Sequence, residues 1–122
     1  ADALGADIRR VNVDLADTHR GPDTGAAIAS RGTYIGGNAI LDAARQIKAL
    51  IAESIAQRYQ VAPETVVFDN DQVRFGSEVL SFPQAVSVCY GTGRTPAAVG
   101  TYVNHTLPWD EETGQGEPFC PG

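Results

Sequence analysis

Apolar and polar residues alternate in two different rhythms along this chain. In the stretch Ile8 to Leu15, apolar side chains fall at Val11, Val13 and Leu15 with Asn12 and Asp14 between them. That two-residue period predicts a half-buried strand from about Arg10 to Ala16. From Asp17 to Arg31 no period persists, and Gly21, Pro22 and Gly25 mark a long connection whose backbone must turn. From about Thr33 to Tyr59 the rhythm changes. Ile40, Ala43, Ala44, Ile47, Leu50, Ile51 and Ile55 recur at three- and four-residue steps, while Asp42, Arg45, Gln46, Lys48, Glu53 and Gln57 fill the other faces. This predicts a long amphipathic helix. Gly36 and Gly37 lie in its first turn, where each costs roughly 1 kcal/mol of helix propensity relative to alanine. Close backbone approach is the expected reason for them.

After Pro63, Val66-Val67-Phe68 and Gln72-Val73-Arg74-Phe75 flank the turn-forming Asp69-Asn70-Asp71 and predict a hairpin. Gly76-Ser77-Glu78 makes a second turn before Val79-Leu80. Ser81-Phe82-Pro83-Gln84 then fits a capping box, opening a short helix from about Phe82 to Tyr90 that Gly91 and Gly93 stop. Val99 to Val103 reads as one more strand. The order β, loop, α, β, β, α, β predicts an α+β fold, with one long and one short helix packed on a small, mostly antiparallel sheet. Residues 1–122 are expected to form a single subdomain, in which 107–122, rich in Pro, Gly and acidic residues, serve as an extended tail or connection.

Composition narrows the function classes. The 122 residues carry 9 Lys plus Arg against 15 Asp plus Glu, for a net charge of -6, and no basic run offers the counterion release that nucleic-acid binding needs. No apolar stretch is long enough to span a membrane. Cys89 and Cys120 stand far apart without metal-ligand spacing, so two free thiols in a reducing compartment are expected. The opening Ala1-Asp2-Ala3-Leu4-Gly5 lacks a basic segment and an apolar core of signal-peptide type, which points to the cytoplasm. The chain contains no Met and reads as a piece of a longer protein.

The candidate site is the loop and helix start from Gly21 to Thr33 (Gly21-Pro22-Asp23-Thr24-Gly25-Ala26-Ala27-Ile28-Ala29-Ser30-Arg31-Gly32-Thr33). Small side chains let a ligand approach the main chain, and a helix start offers unpaired N–H groups with partial positive charge. An oxyanion suits such a place even on an acidic protein, and Arg31 adds one fixed positive charge. The alternative is a loop packed against a neighbouring sheet, with Ser30 or Thr33 as an ordinary N-cap; from spacing alone this packing role carries the greater weight. His19 and His105 are the only histidines, and each stands without a second ligand at useful spacing. The pairs Asp14 with Asp17 and Asp69 with Asp71 are read as structural. Ser30 lacks the Gly-x-Ser-x-Gly elbow of a hydrolase nucleophile. Trp109 opens an acidic, exposed segment through which a larger assembly can be met.

Asp17-Thr18, Pro22-Asp23-Thr24-Gly25, Ala29-Ser30-Arg31, Thr33 and Gly37-Asn38-Ala39, followed by a helix containing Ala43-Ala44, resemble the molybdenum-cofactor-binding subunit of the molybdenum hydroxylases. These are the relatives of xanthine dehydrogenase, aldehyde oxidase and 4-hydroxybenzoyl-CoA reductase. Ala3-Leu4-Gly5, Val99-Gly100-Thr101-Tyr102 and Gly114-Gln115-Gly116-Glu117-Pro118-Phe119 extend the likeness, in order, over nearly the whole chain. The resemblance implies that Ala29 and Ser30 line the cofactor, with Gly25, Ala27, Ile28 and Arg31 as neighbours. The cofactor is then molybdenum bound by molybdopterin, in the plain or cytosine-dinucleotide form, and the pterin dithiolene rather than a side chain of this chain holds the metal. Iron–sulfur clusters and FAD are implied on other domains or subunits, as is the remainder of the large subunit.

The family's catalytic glutamate lies in a Gly-rich motif far toward the C-terminus. Glu117 matches a different stretch, so no catalytic residue is assigned here and the chain alone is expected to be inactive. The reading that follows is a fragment of an oxidoreductase that hydroxylates or dehydrogenates a heterocycle, aldehyde or related small substrate. A reading of another class is a non-catalytic acidic α+β module that docks a protein partner or a small anion. A metal-dependent hydrolase using His19 and Asp17 is the weakest of the three.

Overall fold

Three short strands and two helices form the framework of the computed structural model, which describes residues 1–14, 17, 19, 21, 25–27, 30–103 and 109–116. The strands are β1 (Val67–Asp69), β2 (Gln72–Phe75) and β3 (Glu78–Ser81). They pair antiparallel in the order β1-β2-β3. The helices are α1 (Gly37–Tyr59) and α2 (Phe82–Gly91), so the α+β architecture with an antiparallel sheet stands. A five-residue π-helical turn, Gly32–Gly36, runs directly into α1. Short 3₁₀ turns occupy Asp2–Leu4, Ile8–Arg10 and Pro63–Thr65.

Turn chemistry places the strands. Asn70 and Asp71 both take left-handed backbone angles, φ 50° and 61°, the pattern of a two-residue I′ turn whose twist matches the strands it joins. Gly76 supplies positive φ at the second turn. Ser81 caps α2: its hydroxyl accepts from the Gln84 amide, and the Gln84 side chain accepts from the Ser81 amide at 2.8 Å, a complete capping box. The core is built from Ile51 and Ile55 of α1, Val73 and Phe75 of β2, and Ala85 and Cys89 of α2, all buried.

Asp71 fastens the N-terminal segment to this unit. Its carboxylate accepts from the Asp7 amide at 3.1 Å and from Arg10 Nε at 2.8 Å. Its amide donates to the Gly5 carbonyl, and its own carbonyl accepts from the first amide of α2. Gly5 has φ 67°, and a Cβ there would lie 2.8 Å from the Phe68 carbonyl, so both conformation and space require glycine.

Two expected strands do not form. Residues 8–10 close a 3₁₀ turn capped by Asp7, and 11–14 make no ladder. Leu15 and Ala16 lie outside the described residues. Val99 to Val103 is also no strand: its backbone is held by side chains of α1, and Val99 and Val103 stay exposed. Glu78 to Ser81, read only as the sequel to a turn, supplies the third strand instead.

Helix α1 is longer than the sheet that it covers. Its 23 residues extend about 34 Å at 1.5 Å each, whereas a four-residue strand reaches about 13 Å. The buried residues of α1 accordingly fall in its C-terminal half, with Ala44 alone buried before it among the described residues. Ile40, in phase with the core residues by sequence, is 70% exposed.

Candidate functional site

The overhanging start of the long helix carries the candidate residues. Gly25, Ala27, Ser30 and Arg31 are all exposed, as are Ala26, Gly32 and Thr33. Ile28 and Ala29 lie outside the described residues, as do His105, Cys120 and Glu117. Gly25 takes φ 70°, and the Arg31 guanidinium comes within 3.7 Å of the position that a Cβ there would occupy. The loop thus brings its glycine back to the first residue of the helical run. The Tyr34 amide donates to the Ser30 carbonyl at 2.8 Å, which begins the helical hydrogen bonding at Ser30.

The packing alternative does not hold for the described part of this loop, because these residues face outward. The N-cap positions of the π turn and of α1 fall at Arg31 and Gly36 rather than at Ser30 or Thr33, and neither makes a side-chain cap. No acidic residue stands in the first turn of either segment. No carboxylate of the first turn therefore offsets the positive end of the helix dipole. Cβ atoms added at Gly32, Gly36 or Gly37 would meet nothing within 4 Å. The close approach expected at Gly36-Gly37 is therefore not made by any described residue, and nothing in the structure explains the pair. The close approach is made by Gly100, whose added Cβ would lie upon the Ala39 carbonyl oxygen and 2.8 Å from the Ala43 amide nitrogen.

An open depression of about 580 Å³ lies beside this helix start, lined by Ser30, Thr33, Tyr34, Gly37, Asn38 and Leu41. A second, of about 420 Å³, adjoins it through Asn38 and Leu41 and reaches Arg45 and Lys48. Exposed Leu41 lines both depressions. Tyr34, Asn38 and Leu41 were not marked by sequence reasoning. Tyr34 stands one helical turn from Ser30, through its amide bond to the Ser30 carbonyl. Asn38, in the first turn of α1, donates from Nδ2 to the Tyr34 carbonyl at 2.6 Å, next to a π turn of a kind that recurs at functional positions in helices.

Small exposed residues and the first amides of a helix are features that suit an anionic ligand. The remaining candidates are placed elsewhere. His19 is exposed, and its amide donates to Asp17 Oδ1 at 2.9 Å. Asp69 pairs with Arg74, and Asp71 serves the turn, as their structural reading requires. Asp7 has its carboxyl lowered to about 2, chiefly by the side-chain hydrogen bond from Arg9. Among the described residues no three His, Cys, Asp or Glu side chains gather as a metal site; a metal held by an organic ligand of its own needs none from the chain. Among them, too, no helix is long and apolar enough to cross a membrane.

A family model described as the molybdopterin cofactor-binding domain matches residues 1–121. The chain belongs to that family. As a molybdopterin cofactor-binding domain it forms part of a molybdenum-containing oxidoreductase.

Proposed function

We propose that this domain is the part of a molybdenum hydroxylase large subunit that seats the molybdenum–molybdopterin cofactor through residues 25–31 and the helix start after them. The observation that supports this reading is the exposed helix start beside small residues, with no acidic residue in its first turn, on a protein whose family model is a molybdopterin cofactor-binding domain. When bound, the cofactor supplies a metal centre able to transfer oxygen derived from water and to accept the substrate's electrons. Main-chain amides around Ser30 would donate hydrogen bonds to anionic oxygens of the group. Gly25 and Ala27, exposed and small, would leave room for a pterin, the Arg31 guanidinium would add positive charge beside the amides, and Ile28 and Ala29 are assigned to the lining by the family resemblance alone.

No residue here takes the role of catalytic base, and the isolated chain is inactive in this reading. Substrate oxidation then requires the remainder of the large subunit, with iron–sulfur and FAD domains or subunits to carry electrons away. The substrate is a heterocycle, aldehyde or related small molecule, and the enzyme works in the cytoplasm, where the buried thiol of Cys89 stays reduced.

The test replaces Ala29 and Ser30 with leucine in the intact enzyme and measures molybdenum and pterin per subunit. Loss of both from a normally folded protein is the expected result. Unchanged cofactor content and turnover would overturn the reading.

A further inference from the structure

Residues 99–102 cross the overhanging half of the long helix in reverse order, touching it at every step. Gln46 Nε2 donates to the Val99 carbonyl at 3.2 Å. Gly100 lies against the backbone at Ala39 and Ala43, where no side chain has room. The Thr101 amide donates to Asp42 Oδ2 at 3.2 Å, and that bond is the main reason the Asp42 carboxyl lies below its usual range. Finally the Tyr102 and Tyr34 hydroxyls meet at 3.0 Å, with their rings edge to face at 5.5 Å.

Hydrophobic burial does not account for this arrangement, because Val99 is 82% and Val103 is 68% exposed. The contacts are polar or backbone-close, and they fall on the half of the helix that the sheet does not reach. Their last member, Tyr34, lies in the π turn and lines the same depression as Ser30.

We infer that residues 99–102 form a strap that sets the position of the helix start, and that Gly100 and Tyr102 are positioning residues for the group bound there, acting through Ala39 and Tyr34. The inference rests on the proposed reading of residues 25–31. The strap fixes the π turn from outside the core, so the amides around Ser30 are held in place before the ligand arrives. Such preorganisation of a binding surface raises affinity without adding a contact.

The test uses the intact enzyme with Gly100→Ala, Tyr102→Phe and, as a neighbouring control, Val99→Ala. Three quantities are measured: amide hydrogen exchange over residues 34–40, molybdenum and pterin content, and the melting temperature. Gly100→Ala and Tyr102→Phe are expected to speed exchange over 34–40 by about tenfold and to lower cofactor content. The melting temperature stays near that of the parent, which separates local positioning from general stability, and Val99→Ala changes nothing. Unchanged exchange over 34–40 in both variants would overturn the strap. Faster exchange with full cofactor content, where the Ser30 variant has lost its cofactor, would overturn the positioning role while leaving the site reading intact. Full content in the strap and Ser30 variants alike would overturn the site reading and the inference with it.

Discussion

Two isoleucines in one helix, indistinguishable by their periodicity, should respond oppositely to truncation. Ile51 is fully buried against β2 and α2, whereas Ile40 lies on the overhang and is 70% exposed. Truncating a fully buried isoleucine to alanine removes its transfer free energy and leaves a cavity, costing about 3 kcal/mol within a range of roughly 2–5. Unfolding entropy is about 2.1 cal/mol/K per residue, or about 0.26 kcal/mol/K for 122 residues. Ile51→Ala should therefore lower the melting temperature by about 12 °C. Ile40→Ala removes surface that water already reaches and should cost less than about 0.5 kcal/mol, a shift of roughly 2 °C or less. Thermal melts followed by far-UV circular dichroism, with urea titrations to confirm a common m-value, read both variants. Similar losses in the two would mean that the helix is packed along its whole length, and the overhang that carries the site would not exist.

The other predictions concern the caps and turns. Ser81→Ala removes the hydroxyl half of the capping box and should destabilise by about 1 kcal/mol, measured by urea denaturation; no change would mean that Gln84 alone secures the helix start. Asp71→Gly relieves a left-handed residue but deletes the acceptor of the Asp7 amide and Arg10. Hydrogen exchange at Asp7 should rise, and protection equal to the parent's would refute the tie. Because the Asp7 carboxyl is lowered to about 2 by Arg9, its stabilising contribution is complete above the unfolded carboxylate pKa. That contribution is lost as pH falls from about 4 toward 2. An NMR titration of the Asp7 carboxyl carbon should show a midpoint near 2; a midpoint near 4 would refute the pairing.

What the sequence made legible was local chemistry. Asn70-Asp71 between apolar runs named a hairpin, Ser81 with Gln84 named a helix start, and the three- and four-residue steps named α1, because each signal is satisfied within a few residues. The strands expected over 10–16 and 99–103 failed for one physical reason. Alternation describes an extended segment with two faces, but a strand also needs a partner for its backbone groups. Near residue 10 those groups close a 3₁₀ turn, and at 99–101 they meet Gln46 and Asp42. Glu78 to Ser81 was too short to show a period, yet lies beside β2 and pairs with it. At the site, small residues pointed to an open main-chain surface. Tyr34 was not visible because its partner lies 68 residues away, and the spacing of Ala39 and Ala43 reveals a close approach only once Gly100 is seen against them.

The many bonds of Asp71 impose an order of assembly. Its links to Asp7 and Arg10 span 64 and 61 residues, whereas the hairpin that shapes its backbone closes locally and, in isolation, forms within about 1–10 μs. Loop closure makes the distant links later arrivals. Residues 1–10 have their mooring only after the hairpin exists, so a segment that precedes the hairpin in sequence settles after it.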